Sequence, residues 1–249
     1  MEKTVGNLKI KIYDTYGEMS EGAAAALADQ LTGKPDSCLG FATGSTPVGM
    51  YRALVRLDKE KKIDFTQVRA TFNLDEYYPI KKSDAQSYDY FMRDNLFGHI
   101  GIDQSIIHIP DGEAADPEAE CAAYEQMIKD AGGLDFMILG IGGNGHIGFN
   151  EPGPSLKAET HLMALTRETI DANKRFFASV DLVPKNALTM GVGSIMAAKK
   201  IVLLASSENK ADILRETVYG DITTLVPASI LKLHRDVTIF TDAAAGTYL

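Results

Sequence analysis

The chemistry that this sequence is equipped for centres on a histidine in a glycine-rich segment. His146 lies within GIGGNGHIGFNEPG at 140–153, with Asn144 two residues before it and Glu151 five residues after it. Near pH 7 an imidazole both accepts and donates a proton, and a nearby carboxylate fixes its tautomer and supports its charged form. A lone histidine is more often structural, but this setting favours proton transfer.

The same segment matches the dinucleotide-binding pattern GxGxxG at 140–145, and we reject that interpretation. A dinucleotide loop opens a long helix and meets an acidic residue at a strand end about 20 residues later. Here Pro152 and Pro154 flank Gly153 and break any helix almost at once. The glycines therefore predict a tight turn that presents His146.

A second source of acid–base chemistry is the carboxylate pair Asp75 and Glu76, within NLDEYY at 73–78. Burial and like charge raise the pKa of one of two adjacent carboxyl groups, which makes it a general base. Successive residues of a strand point to opposite faces, so only one of the pair faces a ligand, and the sequence leaves open which one. A solvated acidic turn is the alternative.

The loop at 43–46 has the composition of an anion site. It lies between an apolar run and a helix that we expect to begin at Pro47, so backbone N–H groups and the positive helix end point outward together. An ordinary helix N-cap with proline in the first turn explains the same residues. Two cations are well placed to complete the site, although both are otherwise surface charges. The candidate phosphate ligands are Thr43, Gly44, Ser45, Thr46, Arg175 and Lys210.

The sequence motifs give little support for metal-dependent catalysis or for a catalytic nucleophile. The sequence has no HExxH motif, no histidine pair at ligand spacing, no EF-hand loop and no GxSxG motif. We therefore expect proton transfer on a small phosphorylated molecule, without a metal and without a cofactor.

The elements that position these residues follow from the apolar pattern. Short apolar runs alternate with segments of helical period, which is typical of βαβ units. The predicted fold class is α/β, a single doubly wound, mostly parallel sheet with helices on both faces, in one domain spanning 1–249. Strands are expected at 8–13, 38–43, 68–74, 106–109, 134–140, 200–205 and 237–240, and helices at 16–31, 47–60, 87–97, 117–130, 167–178 and 207–219.

The position of the polar segments along this sheet predicts a ligand site. In a doubly wound sheet, ligands bind outside the carboxyl ends of the strands, where the topology switches. Four polar or glycine-rich segments directly follow predicted strands, so all four face one crevice if the strand order permits. They are 43–47, 73–78, 140–153 and 206–210.

Composition narrows the classes of partner. The 249 residues include 25 Lys+Arg and 34 Asp+Glu, a net charge of -9, and the scattered basic residues disfavour nucleic acid. No apolar run approaches the roughly 20 residues of a membrane span, and the N-terminus lacks a signal-peptide pattern. Cys38 and Cys121 have no CxxC spacing and suit a reducing compartment. A cytoplasmic protein with a small-molecule partner is expected.

Taken together, these motifs resemble the glucosamine-6-phosphate deaminase family, also called glucosamine-6-phosphate isomerases. The resemblance runs from about 10 to 241 and is most specific in FATGSTPVGMYRALV (41–55), FNLDEYYPI (72–80), QSYDYFM (86–92) and ILGIGGNGHIGFNEPG (138–153). It implies conversion of D-glucosamine 6-phosphate and water to D-fructose 6-phosphate and ammonia, in the catabolism of N-acetylglucosamine.

The resemblance also implies roles for the candidate residues. His146 opens the pyranose ring, with Asn144 and Glu151 orienting and supporting it. Asp75 moves a proton from C2 to C1 through a cis-enolamine, after which ammonia leaves. The six candidate phosphate ligands hold the phosphate, and the segment at 155–175 corresponds to a mobile lid. Asn144 stands where the enterobacterial type has Asp, so Glu151 alone supplies the negative charge beside the histidine.

Three rival functions remain to be weighed. In the related 6-phosphogluconolactonases the glycine loop continues toward a Ser-Leu-Phe-Pro type of sequence and Arg follows the DE pair, whereas this chain has Glu151 and Tyr77 there. A sugar-phosphate-sensing domain of a transcription regulator needs a helix-turn-helix, for which the residues before Leu8 leave no room. A deaminase acting on galactosamine 6-phosphate is an alternative that the motifs do not separate.

The resemblance bears on regulation as well. Some members are allosteric hexamers with a second phosphate site built from Ser, Arg, Lys and Thr just after the glycine-rich segment. Alignment on FNEP places Pro154, His161, Met163 and Ala164 at those positions, and three of these four lack a side-chain phosphate donor. We expect a monomer or small homo-oligomer that N-acetylglucosamine 6-phosphate does not activate.

Overall fold

The strands and helices of this protein are taken from a computed structural model that describes residues 1–177 and 179–249. The strands are β1 (Glu2–Val5), β2 (Leu8–Tyr13), β3 (Cys38–Phe41), β4 (Ala70–Asn73), β5 (Asp75–Tyr78), β6 (Ile107–His108), β7 (Phe136–Gly140), β8 (His161–Ala164), β9 (Asn186–Thr189), β10 (Ile201–Ala205) and β11 (Val237–Asp242). The α-helices are α1 (Tyr16–Gly33), α2 (Val48–Lys59), α3 (Tyr88–Met92), α4 (Pro117–Asp130), α5 (Arg167–Asn173), α6 (Val192–Met196) and α7 (Ala211–Tyr219).

Eight of these strands form the main sheet, in the order β1-β2-β11-β10-β7-β3-β4-β6. The β1–β2 pair is antiparallel, and the pairs from β2 through β6 are parallel. The chain runs outward from β3 through β4 to β6, then returns to place β7 on the other side of β3 and continues through β10 to β11. The topology therefore switches between β3 and β7, and this is where a ligand is expected to bind.

Helices cover both faces of the main sheet. Phe41 on β3 contacts Tyr51 of α2 at a ring-centroid distance of 6.0 Å, and Phe72 on β4 contacts Tyr124 of α4 at 5.7 Å. In the parallel register Phe72 pairs with Gly40, and since adjacent strand residues face opposite sides, Phe41 and Phe72 lie on opposite faces. The two helices thus pack on opposite sides, and the predicted fold class is confirmed.

Burial explains why the central strands could be predicted from the sequence. Every residue of β3, β4, β10 and β11 is buried. Parallel strands covered on both faces are expected to be rich in apolar residues. Strands β3, β4 and β10 lie within the predicted ranges, and β11 extends from 237 to 242, beyond its predicted end at 240. Among the described residues, no helix is long and apolar enough to cross a membrane.

A second sheet was not predicted. Strands β5, β9 and β8 form a three-stranded antiparallel sheet beside the main one. Their sequences are DEYY, NALT and HLMA, and none alternates apolar and polar residues as a half-buried strand is expected to do. The edge strand β1 was missed as well, because EKTV carries two charged residues.

Three predicted helices are only partly α-helical. The helix predicted at 87–97 consists of α3 followed by a π-helical turn at Arg93–Phe97. The helix predicted at 167–178 consists of α5 and a 3₁₀ turn at Lys174–Phe176, and residue 178 lies outside the described residues. The helix predicted at 207–219 opens with a 3₁₀ turn at Glu208–Lys210 before α7.

Candidate active site

Four neighbouring strands of the main sheet, β10, β7, β3 and β4, end at one cavity of about 870 Å³. The four polar segments singled out in the sequence follow these strands, and each contributes to the cavity wall. Nine of the ten candidate residues line it, and Glu151 lies behind His146. The nine are Thr43, Gly44, Ser45, Thr46, Asp75, Asn144, His146, Arg175 and Lys210.

The end of the cavity formed by the loop at 43–46 faces the start of α2. Gly44 has φ 91°, a left-handed conformation that glycine adopts without steric cost. The Tyr16 hydroxyl donates to the Thr46 carbonyl at 3.0 Å and accepts the Gly49 N–H at 2.7 Å, so it braces the loop against α2. Helix α2 begins at Val48, one residue later than predicted, with Pro47 as its N-cap. The positive end of the α2 dipole favours an anion in front of the loop.

Two cations complete this end of the cavity. Lys210 is half-buried in the turn before α7, and Arg175 follows α5. Burial and the positive charge of Arg175 lower the pKa of Lys210, while the nearby Glu168 opposes this shift. Two cations close enough to repel each other are stabilised by a bound dianion, so the arrangement suits a phosphate group.

The structure resolves which of the two adjacent carboxylates faces the cavity. Asp75 lines the cavity and is only 5% exposed, and burial, with the charge of Glu76, raises the pKa of Asp75 well above its usual range. Glu76 points the other way, and its oxygens accept the N–H groups of Tyr77, Tyr88 and Asp89 at 2.9, 2.8 and 3.0 Å. Glu76 therefore stabilises the start of α3, and Asp75 is the candidate base.

The histidine and its supporting residues lie on the neighbouring segment. Asn144 Nδ2 donates to Glu151 Oε2 at 2.8 Å, and Asn144 Oδ1 accepts the His146 N–H at 3.2 Å. His146 Nδ1 is 3.4 Å from Glu151 Oε2, a contact that becomes an ion pair when the imidazole is protonated. Burial opposes ionisation of Glu151, but hydrogen bonding to His146 and the charge of His146 outweigh it and lower the pKa of Glu151 to about 2. The histidine thus has a charged carboxylate behind it.

Two glycines of this segment are required by close approach. A Cβ atom on Gly142 would lie 2.3 to 2.4 Å from three atoms of the His146 ring. Gly148 has φ 58°, and a Cβ atom there would lie 2.9 Å from Thr189 Oγ1 and 3.6 Å from Asp75 Oδ2. One glycine therefore makes room for the imidazole, and the other lets the backbone cover the carboxylate.

Sequence reasoning missed two acidic residues of the cavity wall, Glu168 and Asp242. Asp242, at the end of β11, accepts the Ser206 hydroxyl at 2.5 Å and the Ser207 N–H at 3.1 Å. Ser207 has φ 79°, a conformation that costs a non-glycine residue about 1 to 3 kcal/mol. Asp242 thus stabilises the strained turn that precedes Lys210. Its signal in the sequence is the same as that of Asp75, a carboxylate at the end of an apolar strand.

Fold and cavity together define an α/β protein in which one crevice has two cations and a helix start at one end and buried carboxylates with a histidine at the other. Residues 14–240 match the family described as glucosamine-6-phosphate isomerases/6-phosphogluconolactonase. The chain belongs to this family.

Within the family, the chain is similar to curated glucosamine-6-phosphate deaminases. That of Thermoanaerobacter pseudethanolicus is 53% identical over 97% of this chain and 95% of its own length, and that of Clostridioides difficile is 52% identical over 97% of each. A solved monomeric glucosamine-6-phosphate deaminase superposes with a TM-score of 0.94 at 46% identity, covering 96% of this chain and 99% of that one. A 6-phosphogluconolactonase from Thermotoga maritima, at 20% identity and a TM-score of 0.75 over 94% of this chain and 99% of that one, shares the fold.

Proposed function

We propose that the protein converts D-glucosamine 6-phosphate and water to D-fructose 6-phosphate and ammonia, in amino-sugar catabolism. Curated deaminases share about half of its residues over nearly the whole chain. The observation that carries the proposal is that one cavity combines Asp75 and the His146–Glu151 pair with the loop at 43–46 and the two cations Lys210 and Arg175. The lactonase alternative is not favoured, because its representatives share only the fold at about 20% identity.

Phosphate binding is the first step of the proposed mechanism. The loop at 43–46, Lys210 and Arg175 hold the phosphate at one end of the cavity, where charge-assisted hydrogen bonds are strong. The sugar then extends toward the acid–base end. Anchoring a substrate at a group remote from the reacting atoms supplies orientation for the chemical steps.

Ring opening is assigned to His146. Its imidazole takes the proton of the anomeric hydroxyl and returns one to the ring oxygen, which breaks the C1–O5 bond and leaves the open-chain aldehyde. Glu151 stays ionised because its pKa is lowered to about 2. It stabilises the imidazole of His146 while the imidazole carries the extra proton. Asn144 holds Glu151 and the backbone of His146 in place.

Isomerisation and deamination are assigned to Asp75. The carboxylate takes the proton from C2 while a proton of the C2 ammonium group passes to O1, which gives a neutral cis-enolamine. Asp75 then delivers its proton to C1, which leaves an iminium group at C2. Water adds to C2 and ammonia departs, leaving the ketone of fructose 6-phosphate. A base whose pKa is raised by burial is suited to remove a weakly acidic C–H proton near neutral pH.

The segment at 155–175 is proposed to act as a mobile lid within one domain spanning 1–249. It contains β8 and α5. Thr169 and Ala172 of α5 form part of the cavity wall, and Arg175 lies at its end. Closure of this segment would bring Arg175 to the phosphate and exclude water from the enolamine.

We further propose a monomer or small homo-oligomer that acts in the cytoplasm, with no nucleic-acid or membrane partner. The solved deaminase at 46% identity is monomeric, and the net charge of -9 disfavours a polyanion. Cys38 and Cys121 are both buried free thiols, which suits a reducing compartment.

An assay of both products tests the function. Ammonia and fructose 6-phosphate are expected in equal amounts from glucosamine 6-phosphate, with galactosamine 6-phosphate and 6-phosphogluconolactone as competing substrates. Lactone hydrolysis without ammonia release from either amino sugar would overturn the proposal. A higher kcat/KM on the galactosamine epimer would reassign the substrate and keep the reaction.

A further inference from the structure

Thr189, the last residue of β9, lies at the centre of the small sheet and is fully buried. Its Cα pairs with that of Asp75 on one side and that of His161 on the other. It therefore joins the strand that carries the candidate base to the strand at the start of the proposed lid. The proposed mechanism assigns no role to this residue.

The Thr189 hydroxyl also contacts the histidine segment. Oγ1 accepts the N–H of Phe149 at 3.0 Å, and Phe149 is itself buried. The preceding Gly148 has no room for a side chain, because a Cβ atom there would lie 2.9 Å from Thr189 Oγ1 and 3.6 Å from Asp75 Oδ2. The hydroxyl, the histidine segment and the Asp75 carboxylate thus meet at one point.

The next residue, Met190, extends the same connection. Its N–H donates to the carbonyl of Leu74, beside Asp75, at 2.7 Å, and its carbonyl accepts Asn150 Nδ2 at 2.8 Å. Residues 189 and 190 therefore tie the Asp75 strand to the histidine segment through both side chain and backbone. The hydroxyl is the part of this connection that a substitution can remove without altering the backbone.

We propose that Thr189 is a positioning residue, which acts through its hydroxyl to hold the histidine segment over Asp75 and to set the spacing between base and histidine. The inference rests on the proposed function of the cavity. Without the hydroxyl, the buried Phe149 N–H loses its acceptor, a costly state that displacement of the segment toward water relieves. Such a displacement uncovers Asp75 and moves His146.

Kinetics of Thr189→Val and Thr189→Ser test the proposal. Valine keeps the shape and removes the acceptor, so kcat is expected to fall about 10- to 100-fold, with KM changed less because the phosphate ligands are untouched. Serine keeps the hydroxyl and is expected to stay within about threefold of the wild type. Thr189→Ala, which removes the same acceptor without adding a methyl group, serves if the valine variant does not fold.

Thr217→Val is the matched control. Thr217 is equally buried, on α7, and its hydroxyl donates to the Ile213 carbonyl at 2.7 Å. This substitution removes a buried hydroxyl away from the cavity, so it is expected to lower the melting temperature and leave kcat unchanged. A loss of kcat in Thr217→Val as large as that in Thr189→Val would overturn a specific role for Thr189.

The pH profile separates positioning from general destabilisation. Burial raises the pKa of Asp75, and activity requires its ionised form, so activity is lost as pH falls through that raised pKa. Water reaching Asp75 in Thr189→Val lowers its pKa, and the acid limb of kcat/KM is expected to shift to lower pH. The substitution does not alter the titratable groups that interact electrostatically with Asp75, so they do not account for the shift. These groups are Tyr51, Glu76, Tyr77, Tyr88 and Tyr124.

The outcomes are distinct from those that test the function itself. A wild-type protein that releases no ammonia overturns the proposed function before any variant is measured. With an active wild type, an unshifted acid limb and an unchanged kcat in Thr189→Val overturn the inference. So does an equal loss in the serine variant, because that would make the methyl group responsible.

Discussion

Substitution of Gly142 by alanine should displace the His146 side chain without unfolding the protein. The added Cβ atom would lie 2.3 to 2.4 Å from the Cε1, Nδ1 and Nε2 atoms of the His146 ring. The ring is on a side chain that can rotate away, so the backbone has no need to move. We therefore expect a folded protein in which the imidazole is displaced.

The size of the effect follows from this distance. The ring must retreat from 2.4 Å to at least 3.4 Å, where ordinary van der Waals contact begins. It would then lose its place beside Glu151, whose Oε2 is 3.4 Å from Nδ1. A misplacement of about 1 Å costs about 100-fold in rate, which corresponds to about 2.7 kcal/mol of transition-state stabilisation.

For each variant we would measure kcat on cyclic glucosamine 6-phosphate and the melting temperature. Gly153→Ala is the matched control in the same segment, since its Cβ atom would have no neighbour nearer than 3.8 Å in the described structure. The Gly142 variant should lose about 100-fold in kcat with a melting temperature near that of the control. Retention of kcat within about threefold in a folded Gly142→Ala variant would refute the assigned need for His146 in its present position.

The remaining predictions concern the other parts of the cavity. Asp75→Asn should abolish turnover while keeping substrate binding, and solvent exchange at C2 that persists near the wild-type rate would contradict its assignment as the base. His146→Gln should be slow on the cyclic substrate but partly active on the open-chain form, and equal loss on both would reject the division of labour with Asp75. Lys210→Ala should raise KM about 10- to 150-fold, since a charge-assisted contact is worth about 1.5 to 3 kcal/mol; an unchanged KM places the phosphate elsewhere. Rate curves should be hyperbolic with or without N-acetylglucosamine 6-phosphate. Three of the four positions aligned with the family's effector site lack a side-chain donor, and Nδ1 of the fourth, His161, already contacts the Glu159 carbonyl at 2.8 Å. Sigmoidal curves made hyperbolic by that effector would overturn this expectation.

Several local features of this protein could be predicted from its sequence alone. Continuous apolar runs marked β3, β7 and β10, because strands buried on both faces need no polar residues. Proline and glycine after Glu151 excluded a dinucleotide helix, and residues 141–166, all of which the structure describes, contain no helix. The crevice was predicted from the rule that parallel strands end at one edge. Each of these inferences depends on neighbouring residues or on a general property of parallel sheets.

The tertiary structure decided how the candidate residues face one another. Asp75 and Glu76 are equivalent by type, and only the pairing of β5 with β9 and the start of α3 turns Asp75 into the cavity and Glu76 away from it. The strand β5 was itself invisible in the sequence, because DEYY is buried only through partners far along the chain. Contacts such as Phe149 N–H to Thr189, 40 residues apart, leave no local pattern. Burial of Asp75, and with it the raised pKa of this candidate base, depends on those distant partners and so is a property of the folded chain.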